Sequence, residues 1–256
     1  MKEQVYKDPR PAEHFDRFHA RTRSRRPDWA YEFVRLVQTP YLLLFFRARA
    51  IDTDKVPADG PVIIAPNHFS FLDHFFVAVY LRRKVHFMAK SQLFEKPIQF
   101  IYTHGGVFPV RRGHKDGEAF KTAHAVLARG DIVVMYCEGG RSRSGDLGEA
   151  KPGIGRLALE SGAPVVPTAI AGSERARDWK KGQFPKVTVQ FGDAVRFERV
   201  DAPTKEQSQA TAEAVFERVK GLYGPLRSGG RASAVRAARA ARQAARSTSR
   251  RPVAPS

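Results

Sequence analysis

Pro61-Val62-Ile63-Ile64-Ala65-Pro66-Asn67-His68-Phe69-Ser70-Phe71-Leu72-Asp73 is the stretch on which the reading of this chain turns. Pro61 to Ala65 is a short β-branched apolar run, the pattern of a buried strand. His74 to Leu81 follows, an apolar segment long enough for a helix. His68 and Asp73 therefore sit where a strand hands over to a helix, the place where α/β folds put chemistry. A histidine titrates near physiological pH, and a carboxylate on its second ring nitrogen fixes the tautomer and raises its basicity. Such a pair can take a proton from a substrate hydroxyl. The alternative is structural: Ser70-x-x-Asp73 has the form of a capping box, with Asp73 closing a helix start.

Working outward, the chain alternates. Strand candidates are Val62–Ala65, Val85–Met88, Val107–Val110, Ile132–Tyr136 and Val165–Ile170, with helix candidates at His74–Arg82, Lys96–Tyr102, Asp116–Arg129 and Gly155–Ser161 between them. That order predicts an α/β fold, a mostly parallel central sheet flanked by helices. Val187, Val189 and Phe191 alternate with polar residues as a last, half-buried strand, and Thr204 caps a helix running to Tyr223. The segments divide as 1–27, charged; 28–50, membrane-associating; 51–226, the main domain; and 227–256, a basic tail.

The 256 residues carry 44 basic against 26 acidic side chains, a formal net charge of +18 that calls for an anionic partner. The tail holds eight arginines and no acid. Arg236, Arg239, Arg242 and Arg246 recur at helical spacing, but the opposite face is alanine, so the expectation is a tail that stays disordered. Met1 to Arg26 is likewise expected to have little packed structure. Asp28 can cap one helix, and Thr39 followed by Pro40 can start a second. The six apolar residues Tyr41 to Phe46 fall far below the roughly 20 needed to span a bilayer. Two amphipathic helices with flanking arginines fit an interfacial anchor on an anionic membrane surface. A lone Cys137 and a charged N-terminus without an early apolar core place the chain on the cytoplasmic side. The basic charges would also bind RNA or DNA, although nucleic acid is disfavoured as the partner.

Four stretches resemble, in order, the motifs of the glycerolipid acyltransferases of the lysophosphatidate acyltransferase family. They are Asn67-His68 with Asp73; Gly105-Gly106-Val107-Phe108-Pro109-Val110-Arg111; Glu138-Gly139-Gly140-Arg141-Ser142; and Ala163-Pro164-Val165-Val166-Pro167. The family usually has threonine at the place of Gly140 and an aliphatic residue at the place of Pro109. Its members are membrane-associated. The resemblance implies transfer of a fatty acyl group from a CoA or carrier-protein thioester to the hydroxyl of lysophosphatidate, forming phosphatidate, with no further cofactor. Because of Gly140, glycerol phosphate or another polar lipid stays open as acceptor. A basic membrane- or nucleic-acid-binding protein without turnover is the rival class.

Within that reaction His68 is the candidate base and Asp73 its orienting partner. Arg111 and Arg141, each ending a strand, carry over as binders of the acceptor's phosphate, which they would hold together if their strands end at one sheet edge. Glu138 carries over as the polar residue near the glycerol or holding the arginines. Gly139 and Gly140 let the backbone turn tightly towards the ligand. Lys115, near Arg112, is a further substrate-binding candidate without a motif position. Cys137, at the end of an apolar strand, has the setting of a buried residue rather than of a covalent nucleophile. His86, His104, His114 and His124 lack ligand spacing, so no metal is expected. No phosphate-loop consensus occurs.

Overall fold

The computed structural model describes residues 8–113, 116–142 and 144–249, the last five as backbone. Its elements run α1 (Asp16–Ser24), α2 (Trp29–Leu44), β1 (Arg49–Ile51), β2 (Val62–Pro66), α3 (Asp73–Ala78), β3 (Val85–Lys90), α4 (Ile98–His104), β4 (Val107–Val110), α5 (Gly117–Ala128), β5 (Ile132–Val134), α6 (Pro152–Ser161), β6 (Val165–Ala171), β7 (Thr188–Phe191) and α7 (Lys205–Ser249). The seven strands form one sheet in the order β1-β7-β6-β2-β5-β3-β4. All neighbours pair in parallel except β6 and β7. β2 is central, with Ile63 opposite both Val133 of β5 and Val165 of β6.

That position explains the unbroken apolar run. Val62 and Ile64 face one side, towards α2 and α3; Ile63 and Ala65 face the other, towards α5, α6 and α7. All four are fully buried, and a strand covered on both faces has no polar alternation to show. Each fully buried Val or Ile stabilises the sheet by about 1.5–3 kcal/mol.

Three expectations are corrected. From Asp8 on, the segment before Arg26 is packed: a 3-10 turn (Ala12–Phe15) leads into α1, while Met1 to Lys7 lie outside the described residues. Phe15, Phe18, His19 and Thr22 are spaced i, i+3, i+4, i+7 and all are buried. Phe15 and Phe18 join Phe94, His19 Nδ1 meets Thr122 Oγ1 at 2.9 Å, and Arg23 pairs with Glu118 at 2.7 Å. Charges that suggested disorder have partners: Arg23 on α5, Arg21 at Asp28, and Arg26 at Asp131.

The two expected helices between residues 28 and 50 are one. Asp28 caps α2 as expected, its side chain accepting from Ala30 N, but the helix runs through Thr39 and Pro40. Proline removes a single helical donor. Nearby, Thr39 Oγ1 donates to the Arg35 carbonyl, and fully buried Leu42 and Phe46 hold the last turn to the core.

The tail is a helix through Ser249; Arg250 to Ser256 lie outside the described residues. Gly230 adopts φ 67°, ψ 174°, a conformation open to glycine, and redirects α7 there. Ala234 is buried, and with Val235 and Ala238 it packs on Ile51, Tyr223 and Leu226. Arg231 donates to the Val187 carbonyl and Thr188 Oγ1, and Arg242 bridges Asp52 and Asp54. Alanine permits close approach, and the two arginines supply directed bonds that composition does not reveal. The remaining new feature is β1, three residues at the sheet edge.

Candidate functional site

β2, β3, β4, β5 and β6 are parallel, so their C-terminal ends share one edge of the sheet. The candidate residues that are described lie there. Asn67, directly after β2, fixes the loop: its Oδ1 accepts from Ile170 N at 2.7 Å and its Nδ2 donates to Ile170 O at 3.0 Å. The side chain thus prolongs the β2–β6 pairing by one step and places His68 at the sheet edge.

His68 Nδ1 donates to Asp73 Oδ2 at 2.9 Å. The same oxygen accepts from Phe69 N and Ser70 N, both at 2.8 Å. Three donors converge on one oxygen because the spacing turns the backbone around the first residue of α3. The capping reading is therefore also correct in part: Asp73 orders the turn and the histidine together. Asp73 is fully buried and His68 nearly so. With Nδ1 committed to a carboxylate, Nε2 holds the lone pair.

The His68 ring stacks on Tyr136, centroids 3.8 Å apart and planes at 17°. Tyr136 Oη is buried with no hydrogen-bond partner among the described residues. Burial and the Asp73 charge raise its pKa well above the usual phenol value. His74 closes the other side, edge-on to both His68 (5.4 Å) and Tyr136 (5.1 Å). Its Nδ1 donates to the Phe71 carbonyl, and burial, aided by neighbouring His68, pushes its pKa down to about 4.

Glu138 Oε2 accepts from His68 N at 2.7 Å and Oε1 from Gly148 N at 2.6 Å. Burial raises its pKa against the opposing pull of these two bonds. Ser142 N donates to the His68 carbonyl at 2.8 Å, so both main-chain groups of His68 are held from the loop after β5. Gly139, with φ +62°, makes the turn that aims Glu138 back at that loop. Cys137 faces the opposite core, beside Ala65 and Ala150; burial first, then the Glu138 charge, raises its thiol pKa. That is no setting for a nucleophile.

The arginines divide. Arg111 N donates to Asp116 Oδ2 at 2.6 Å, and its guanidinium Nη2 donates to the Arg10 carbonyl at 2.9 Å, so the N-terminal segment holds this side chain. Arg112 is the one that reaches the Glu-Gly-Gly loop: a Cβ at Gly140 would stand 3.4 Å from its Nη1. Arg141 lines a cleft of about 540 Å³ with Ser70, Phe71, Leu72, Arg177, Trp179 and Lys180. Lys115 and His114 lie outside the described residues. Across the loop is a second cavity of about 290 Å³, walled by Tyr31, Val34, Phe71, His74, Val79 and Phe87 among other mostly apolar residues. Phe71 lines both, so the segment between His68 and Asp73 separates an apolar cavity from a basic cleft.

Asn67 stood in the first motif without an assigned role, and Tyr136, His74 and the Gly148 amide were not singled out by sequence. Tyr136 reads as one more strand residue and His74 as one more helix residue; nothing in the pattern says that both meet His68. No group of three or more His, Cys, Asp or Glu side chains suited to a metal occurs among the described residues.

The acyltransferase family model matches residues 47–171. The 1-acyl-sn-glycerol-3-phosphate acyltransferase of Bacillus subtilis is 30% identical over 199 residues, 77% of this chain and 98% of that one. Human 1-acyl-sn-glycerol-3-phosphate acyltransferase beta is 31% identical over 174 residues, 64% of this chain and 60% of its own length. Among solved structures, the 1-acyl-sn-glycerophosphate acyltransferase PlsC of Thermotoga maritima superposes with a TM-score of 0.54 at 20% identity, over 82% of this chain and 88% of that one, and shares the fold. With nearly the whole Bacillus protein aligned, and the motif residues around His68 gathered at one sheet edge, this chain belongs to the acyltransferase family of the 1-acyl-sn-glycerol-3-phosphate acyltransferases.

Proposed function

We propose that the protein transfers a fatty acyl group from a thioester to the free hydroxyl of lysophosphatidate, giving phosphatidate. The observation that carries this reading is the His68–Asp73 pair standing between an apolar cavity and a basic cleft. An acyl chain suits the first and a phosphorylated glycerol the second. His68 Nε2 takes the proton of the acceptor hydroxyl as its oxygen attacks the thioester carbonyl; the C–S bond breaks and the thiolate leaves, to be protonated in turn. Asp73 holds the tautomer and stabilises the imidazolium. Glu138 holds the main chain of His68, and Arg141 faces the phosphate. For Arg111 to join it, its guanidinium would exchange the Arg10 carbonyl for a phosphate oxygen. The donor in this scheme is a CoA thioester or a carrier-protein thioester.

The same reading places the protein on a membrane. α2 exposes Trp29, Phe33, Leu36, Val37 and Leu44, spaced along one face, with Leu36 and Leu44 each 74% exposed. Ile98, Phe100 and Ile101 of α4 extend it, Phe100 lying 6.4 Å from Trp29 between ring centroids. An apolar face of this size suits the headgroup–acyl boundary. Among the described residues no helix is long and apolar enough to cross a membrane. The basic charge favours the anionic cytoplasmic leaflet.

The test is phosphatidate formation by purified protein supplied with lysophosphatidate and acyl thioester, beside the variant His68→Ala. Transfer by the wild type and a loss of roughly 10³-fold or more in the variant are expected. A wild type that ignores lysophosphatidate, or a variant that keeps most of its turnover, overturns the reading.

A further inference from the structure

Resting on that reading, we propose that Arg177 and Lys180, from the short helix after β6, bind the acceptor's phosphomonoester together with Arg141. Neither residue belongs to any of the four motif stretches. The segment Ser173–Lys181 is a 3-10 helix, with three residues per turn, so positions three apart lie one above another. Ser173 and Ala176 form the buried row, each about 1% exposed, and anchor the segment beneath. Glu174, Arg177 and Lys180 form the adjoining row; of these Arg177 and Lys180 are exposed and line the 540 Å³ cleft.

Among the described residues, charge in the cleft is all of one sign. Its ionisable lining residues are Arg141, Arg177 and Lys180, apart from the phenol of Tyr41. The acids of the segment point elsewhere: Asp178 pairs with Arg175 at 3.1 Å, and Glu174 Oε2 accepts from Gly172 N at 2.9 Å. The segment is also closed at its far end, where Gly182 N donates to Trp179 O and Gln183 N to Asp178 O, both at 3.0 Å. Three cations on a fixed frame with no carboxylate among them suit a group carrying close to two negative charges. Ser70, two residues from His68, lines the same cleft. For acylation, a glycerol phosphate held at Arg177 and Lys180 must extend its free hydroxyl past Ser70 towards His68. Arg111, held on the Arg10 carbonyl, is not among the lining residues.

The same cations could instead meet anionic headgroups of the bilayer, so the experiment separates the two sources. Steady-state kinetics are measured in neutral detergent micelles, with lysophosphatidate kept a minor component so that the surface is nearly uncharged, for Arg177→Ala, Lys180→Ala, the double variant, and the charge-preserving Arg177→Lys with Lys180→Arg. Acceptors are lysophosphatidate and monoacylglycerol, which lacks the phosphate. Each alanine is expected to raise KM for lysophosphatidate about tenfold and the pair about 100-fold. Donor KM should stay unchanged, kcat within a few-fold, and the charge-preserving pair near wild type. Inhibition by glycerol 3-phosphate should weaken in parallel. An unchanged KM for lysophosphatidate, a rise in donor KM, or a defect seen with anionic vesicles and not in micelles each overturns the proposal. Such results beside an active wild type leave the proposed function standing; an inactive wild type removes both.

Discussion

Asp73→Asn separates the charge of the carboxylate from its shape. In the native turn Oδ2 accepts from His68 Nδ1, Phe69 N and Ser70 N, while Oδ1 has no partner among the described residues. Two backbone donors cannot face an amide NH2, so in the variant the oxygen must take the Oδ2 place and the nitrogen the Oδ1 place. His68 then keeps an acceptor and its tautomer. Only the charge assistance disappears: such bonds contribute about 1.5–3 kcal/mol against roughly 0.5–1.5 for neutral ones. Opposite an imidazolium the difference is on the order of 1–2 kcal/mol, which corresponds to a fall in kcat of about 5- to 30-fold. The buried amide nitrogen lacks a partner and lowers stability by roughly 1–3 kcal/mol. Asp73→Ala, which strips all three donors of their acceptor, should fall much further in both. The assay is kcat at saturating donor and acceptor, beside thermal unfolding, at a temperature where every variant is folded. An unchanged kcat in Asp73→Asn, or a loss near the roughly 10⁴-fold that follows tautomer reversal in a catalytic triad, would refute the reasoning.

His74 is held neutral with a pKa of about 4 against 6.5 unfolded, so the unfolded chain binds its proton first and stability falls as pH drops from about 6.5 to about 4. His74→Phe should flatten that part of the urea-unfolding profile, leaving the slope due to buried His19 and His86; superimposable profiles would show that His74 is not desolvated. Arg242→Ala removes the partner of buried Asp52 and should lower stability by about 1 kcal/mol, read from the urea midpoint; no change would mean that the tail bridge is idle. Leu36→Ser with Leu44→Ser should release the protein from vesicles at every salt concentration, whereas Arg236→Ala with Arg239→Ala should weaken flotation with anionic vesicles only at low salt, where charges are unscreened. The reverse pattern would put the anchor on the wrong element.

The strands were legible because β-branched runs such as Val62–Ala65 and Val165–Ile170 announce burial on both faces. β1 was not, since Arg49-Ala50-Ile51 is too short and too polar at one end to show a period. α1 hid its packed face behind arginines whose partners, such as Glu118, lie about 95 residues away. Pro40 and the alanine-rich tail misled for one reason: local propensity said stop or disorder, and tertiary contacts at Leu42, Phe46, Ala234 and Arg242 overrode it. At the site, His68 and Asp73 were readable because their contact is local. The stack on Tyr136 and the cleft shared by Ser70 and Arg177 were not, because only the sheet order brings them together.

The bonds that hold His68 also set when activity can appear as the chain folds. The Asp73 contact is local, but Glu138 reaches His68 N across 70 residues and Asn67 reaches Ile170 across 103. Closing loops of that length loses conformational entropy before the contacts formed can offset it, and parallel pairing of distant strands is correspondingly slow. A half-folded chain with β2 and α3 in place still has a histidine free to wander. Return of turnover after dilution from denaturant should therefore trail the recovery of helical signal, and catalysis reports the last long loops to close.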